Sequence, residues 1–217
     1  MTVLSYIYVG VVIISSLCSL ISFRLHYPFH LKLFSVLLGL TSMTEIIANF
    51  FLTPFHLKSN FPVYNIFMLV EYPLLAFYFG QIIRSKRFKK FTLLFILLFP
   101  VFWCLIFYFI YNLNEWGSYI IITGDLFVII FSARYLYELF ASDELFHFSK
   151  HSEFSIGVAL IFYSCCELPI TGILNFLELV WGKTLQLLKI LQVLNIIMYL
   201  VFIYAFLCRI KPMVKKS

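Results

Sequence analysis

Uninterrupted apolar segments follow one another along this chain, each about 20 residues long and so able to cross a hydrocarbon core of roughly 30 Å as a helix. The seven expected spans run from Val3 to Phe23, Lys32 to Thr53, Tyr64 to Arg84, Phe91 to Tyr111, Ser118 to Phe140, Phe154 to Asn175 and Leu187 to Cys208. A helix satisfies its backbone groups internally, whereas a membrane barrel needs alternating segments of about ten residues, which this sequence does not show. Composition agrees: 63% hydrophobic and 12% charged side chains in 217 residues cannot clothe a water-soluble domain of this size. The predicted fold is all-α, a polytopic membrane bundle of seven helices forming a single domain over residues 1–217.

Breaks between spans fall at turn chemistry: His26-Tyr27-Pro28, Thr53-Pro54, Asn60-Phe61-Pro62, the basic run Arg84 to Lys90, Asn112 to Gly117, Ser142 to Ser152, and Trp181-Gly182. Basic residues divide unequally between the two sides. Loops after the odd-numbered spans hold Arg24, Lys32, Arg84, Lys86, Arg87, Lys89, Lys90, Lys150, Arg209, Lys211, Lys215 and Lys216, against Lys58, Lys183 and Lys189 opposite. Positive residues are retained on the cytoplasmic side, which places the N-terminus outside and the C-terminus in the cytoplasm. The net charge of +6 then reflects topology, with room for anionic headgroups at Arg84 to Lys90, and nucleic acid is not an expected partner. The first span lacks a basic leader and a small-residue cleavage site, and is read as a retained helix. Cys18, Cys104, Cys165, Cys166 and Cys208 lie in or beside apolar runs and are expected to be reduced packing residues.

Four acids interrupt these runs: Glu45, Glu71, Asp125 and Glu167. Counted inward at 1.5 Å per residue, each lies roughly 12 Å below the outer boundary. Asn49 stands one turn nearer the outside than Glu45, and Asn195 reaches a similar depth. Helical phase gathers Thr41, Ser42, Glu45 and Asn49 on one face of the second span, and Tyr64, Glu71 and Tyr78 on one face of the third. Tyr163, Ser164, Glu167, Thr171 and Asn175 share a face of the sixth span, and Gln192, Asn195 and Tyr199 one of the seventh. The first and fourth spans carry no charged residue in their interiors. A charge at mid-bilayer costs at least about 2.5–3.5 kcal/mol on insertion scales, so the stripes are expected to face one another or water. A protonated acid can simply tie helices together. A whole layer of them, however, cannot ionise together without a cation. The candidate ligand-binding residues are therefore Glu45, Asn49, Glu71, Asp125, Tyr163, Glu167, Asn195 and Tyr199, with a proton, a cation or a small amine as ligand. No metal or cofactor is specified.

Pro73 and Pro169 follow Glu71 and Glu167 by two residues and are expected to free the carbonyls of Leu69 and Cys165 and to kink their helices. The matching strings Glu71-Tyr72-Pro73 and Glu167-Leu168-Pro169 run in opposite directions across the membrane, as an inverted three-helix repeat would place them. Arg134 and Glu138 are spaced for an intrahelical ion pair. The His26/His30 and His147/His151 spacings read as interfacial histidines rather than zinc ligands, since Pro28 breaks the first. Lys189 is too near a span end to carry a retinal-type Schiff base. Enzyme equipment is sparse: Gly124-Asp125 lacks the second glycine of the Gly-x-Gly-Asp protease pattern, and no serine-histidine set appears. Carboxylate acid-base hydrolysis of a lipid headgroup is the one chemistry left open.

Several strings carry a family likeness: Tyr64-Asn65-Ile66-Phe67 with Glu71-Tyr72, Tyr135-Leu136-Tyr137-Glu138-Leu139-Phe140, Phe154-Ser155-Ile156-Gly157 leading to Phe162-Tyr163, and Leu194-Asn195-Ile196-Ile197-Met198-Tyr199 through Ala205-Phe206-Leu207-Cys208-Arg209. With them the chain resembles, over most of its length, a family of seven-helix bacterial membrane proteins to which no activity is assigned, with some similarity to the membrane input regions of bacterial sensors. The resemblance implies a fold and an inner-membrane location and transfers no catalytic residue. The expectation is a non-enzymatic sensory or signalling bundle whose outward-facing acidic pocket binds a proton, cation or small amine, and whose Arg84 to Lys90 loop meets a cytoplasmic signalling partner. A small proton- or cation-coupled transporter is the first alternative, and a lipid-acting enzyme the second.

Overall fold

In a computed structural model, which describes residues 3–25, 27–51, 60–142, 152–180 and 184–208, seven helices are long and apolar enough to cross a membrane. The first span is α1 (Val3–Ser19) continued after a tight turn by α2 (Ile21–Arg24). The second is α3 (Phe29–Ile46), running into a π-helical turn over Ile47–Phe51. The remaining spans are α4 (Phe61–Ile82), α5 (Lys86–Phe109), α6 (Ser118–Phe140), α7 (Ser152–Val180) and α8 (Thr184–Cys208). The chain is thus an all-helical, multi-pass membrane bundle.

Helix starts follow proline geometry. Pro28, extended at φ −60° and ψ 155°, caps α3, which therefore begins at Phe29 and not Lys32. Pro62 sits in the first turn of α4, where its missing N–H costs nothing. The basic run Arg84 to Lys90, expected as a loop, is mostly helix, and only a short extended stretch separates α4 from α5. Glu138 explains the short link. Its carboxylate accepts the backbone N–H groups of Arg84 and Ser85, meeting orphan donors at the α5 N-terminus. The expected ion pair forms on the same carboxylate, with Arg134 Nη2 at 2.7 Å and Nε at 2.9 Å from Oε1. Arg134 also lies over the rings of Phe88 and Tyr137. Pro73, Pro100 and Pro169 all lie inside helices that continue through them.

The helices close into a ring in the order α1, α3, α4, α6, α7, α8 and back to α1. Helix α5 stands outside this ring, packed on α4 and touching α6 lightly, and it is the span with the smallest buried share. Toward the end where α4 and α8 finish, the ring is filled by aromatic side chains. Phe34, Tyr78, Phe79, Phe131, Phe202 and Phe206 are all fully buried there. Phe34 packs edge-on against Phe202 at 5.0 Å and beside Tyr78 at 5.1 Å, so these rings form one continuous layer from α3 to α4 and α8. No disulfide joins the cysteines among the described residues, but Cys104 and Cys165 are exposed on outer helix faces rather than packed inside. His30 meets Glu153 at 2.8 Å, an α3–α7 contact at the same end as the Arg134–Glu138 pair. His26, His147, His151, Lys58 and Lys183 lie outside the described residues.

Candidate functional site

The polar stripes meet at the other end of the ring, where they enclose a cavity of about 340 Å³. Every ring helix contributes to its wall and α5 does not. Glu45, Glu71, Asp125 and Glu167 all line this one cavity, on the consecutive ring members α3, α4, α6 and α7. Asn49, Tyr163, Asn195 and Tyr199 line it as well. Three phase assignments change. Thr44 lines the cavity in place of Ser42, which is buried beside it, and Tyr78 belongs to the aromatic layer below. Thr171 is fully buried outside the lining, and the side chain of Asn175 lies outside the described residues.

The acids differ in how they are held. Glu45, 5% exposed, is saturated: Oε1 accepts Tyr8 Oη at 2.7 Å, while Oε2 accepts Asn49 Nδ2 at 2.9 Å and Tyr64 Oη at 3.0 Å. The π-helical turn begins two residues later, and Asn49 within it also donates to the Glu45 carbonyl at 3.0 Å. This wider turn takes Asn49 back onto its own helix's acid. Asp125, 3% exposed, accepts Ser164 Oγ at 3.2 Å and Tyr72 Oη at 3.4 Å through Oδ1 alone. Its Oδ2 is buried and accepts from no N–H or hydroxyl among the described residues, and the Glu167 carboxyl is a direct hydrogen-bonding neighbour of Asp125. Glu167 also neighbours Tyr163, whose hydroxyl accepts Asn195 Nδ2 at 2.9 Å. Glu71 is half-buried, lies within electrostatic reach of Glu167 and Glu45, and receives no hydrogen bond from the described residues.

No lysine, arginine or histidine lines the cavity among the described residues, and Lys189 points to the exterior. A layer of carboxyl groups without a fixed countercharge reaches balance only through protons or a bound cation. Geometry limits the cation. Among the described residues no three carboxylate, imidazole or thiolate groups cluster closely enough to hold a metal ion. Asp125 and Glu167 are direct neighbours, and no third acid joins them closely enough for a metal.

Several lining residues escape a reading of charge and phase. Tyr8 brings α1 into the site, although its span shows no charged residue. Phe61, Phe67, Tyr72 and Trp116 give much of the remaining wall as aromatic surface. In an apolar helix a tyrosine near one end resembles an interfacial belt residue, and only its distance from Glu45 separates the roles. One signal was available: Tyr64 and Tyr72 flank Glu71 at i−7 and i+1 on α4. Comparison of the chain with protein-family models, characterised proteins and solved structures found no match.

Proposed function

We propose that this chain is a sensory or signalling membrane bundle whose cavity binds a positively charged ligand, a proton, a cation or a small amine. The observation that carries this is the acid-only cavity: four carboxylates around one space and, among the described residues, no basic lining residue and no N–H or hydroxyl donor to Asp125 Oδ2 or to Glu71. A layer built solely to tie helices together would be saturated with N–H and hydroxyl donors, as Glu45 is, whereas Asp125 meets the Glu167 carboxyl and Glu71 receives no donor from the described residues. The aromatic layer below favours a ligand that enters and leaves by one end, hence a binding protein over a conduit.

In this proposal the cavity opens outward in the bacterial inner membrane, and the Arg84 to Lys90 segment with the basic C-terminus faces a cytoplasmic partner. Ligand binding shifts the ring between two packings, and the shift reaches α5 through Glu138, which holds the two residues just before that helix. The test is thermal unfolding of the purified protein in lipid nanodiscs across pH and a panel of metal ions and amines. Glu45→Gln, Glu71→Gln, Asp125→Asn and Glu167→Gln are measured beside the wild type. A ligand at 100-fold excess over its Kd is expected to raise the midpoint by about 5 °C, and at least two of the variants to abolish the rise. No response in the wild type, with variants of equal or greater stability, would make the acids structural ties.

A further inference from the structure

Resting on the reading of the cavity as a cation site, we propose that the ligand is a small organic ammonium ion, its N–H groups taken by Asp125 and Glu71 and a short apolar arm lodged among Leu75, Val128, Leu160 and Met198. Metal ions need several oxygens converging at about 2.0–2.6 Å. The described residues offer no such cluster, and the cavity, at 340 Å³, has the volume of on the order of ten water molecules. That space suits a molecule of several heavy atoms.

Its walls divide by chemistry along the ring axis. Asn60, Phe61 and Trp116 stand at the end of the α3–α4 and α5–α6 connections, the acids form a belt below them, and the apolar residues Leu75, Val128, Leu160 and Met198 form the floor. Asp125 Oδ2 is a buried acceptor that meets no N–H or hydroxyl donor among the described residues, only the neighbouring Glu167 carboxyl, and Glu71 also receives none from them. A ligand bringing two or three N–H donors completes both, which an alkali ion cannot do directionally. Tyr64, Tyr72, Tyr163, Tyr199 and Trp116 surround the belt with ring surface, to which an ammonium is drawn and a bare hydroxyl compound is not. A free amine and the ammonium headgroup of an aminolipid share this chemistry.

The test uses the full chain in phosphatidylglycerol nanodiscs, with the melting temperature followed against phenethylamine, its N,N,N-trimethyl derivative and 2-phenylethanol, and against Na⁺, K⁺, Mg²⁺ and Ca²⁺. Phenethylamine is expected to stabilise saturably, the trimethyl compound to act at least tenfold more weakly for want of N–H donors, and the isosteric alcohol to do nothing. This contrast needs no variant. Asp125→Asn and Glu71→Gln, checked for folding by size exclusion and tryptophan fluorescence, are expected to weaken the amine at least tenfold, while Leu97→Ala on the outer face of α5 leaves it unchanged. A second arm adds phosphatidylethanolamine to the discs: acid-dependent stabilisation by the lipid alone, with loss of the response to free amine, identifies the headgroup as the source and upholds the ammonium. Saturable stabilisation by a metal or alkali ion, or by low pH alone, with none by the amine overturns the ammonium while leaving the cation site standing. Equal effects of amine and alcohol also overturn it. Indifference to pH, to every ion and to the amine removes both readings.

Discussion

Asn65 shows how much of this molecule rests on single polar side chains. It is fully buried near the start of α4, and its Nδ2 donates to the carbonyls of Leu113 at 2.9 Å and Glu115 at 2.8 Å, so one amide holds the loop that carries Trp116 to the cavity. Its backbone carbonyl accepts Trp103 Nε1 at 2.8 Å, a bond that survives any side-chain change. Asn65→Leu removes both side-chain bonds and strands two carbonyls, for an expected loss of about 2 kcal/mol in reversible unfolding in bicelles. Because the Trp103 bond persists, the α4–α5 contact reported by that indole is expected to stay native, and the loss to appear at the loop. The sequence brings out Glu45, Glu71, Asp125 and Glu167 because a charge inside an apolar run is conspicuous. Asn65 and Tyr8 are not conspicuous in the same way, since their side chains are tolerated in lipid-facing ends, and only the fold reveals what they touch.

Between elements, the tightest register is where α4 meets α6. A Cβ added at Gly124 would fall 2.3 Å from the Tyr72 ring, so the absence of a side chain at 124 is what allows Tyr72 to lie against α6 with its hydroxyl toward Asp125. Gly124→Ala is expected to destabilise the bundle by about 2 kcal/mol through this overlap, even though alanine favours a helix. Removing the ring isolates the cause: in the Gly124→Ala, Tyr72→Ala double variant the two losses are expected to fall well short of their sum, a coupling of at least about 1 kcal/mol by the same unfolding measurement. Additive losses would place the glycine's role elsewhere. Helix extents were largely legible from apolar runs and prolines, and the polar stripes from phase, but neighbour order was not. Periodicity tells which face of α3 is polar, and nothing in it says that α5 stands outside the ring while α1 stands within. The π-helical turn after Glu45 was hidden for a similar reason, because it depends on Asn49 finding its own helix's carbonyl and carboxylate. Proline positions pointed instead to Pro73 and Pro169, which both lie within their helices.

For the whole molecule, one end holds the acid cavity and the other the aromatic layer, the His30–Glu153 contact and the Arg134–Glu138 pair with its hold on α5. Basic residues gather at this second end, so the proposed orientation places the cavity mouth outside the membrane. That orientation is open to a direct test, because Asn114 at the cavity end and Lys89 at the basic end are both exposed and both outside the cavity lining. In a background with the natural cysteines replaced, Asn114→Cys is expected to react with a membrane-impermeant maleimide in intact bacterial spheroplasts, whereas Lys89→Cys reacts only after the membrane is opened. The reverse pattern would turn the cavity toward the cytoplasm and make its ligand an internal one. Labelling also bears on mechanism. If the ring shifts between two packings when the cavity fills, the Glu138 carboxylate changes its grip on the residues leading into α5, and the rate of Lys89→Cys labelling in opened membranes is expected to change with ligand in the wild-type cavity but not with Asp125→Asn. A rate indifferent to ligand would separate binding from signalling, leaving a cavity that holds its cation without informing the basic end.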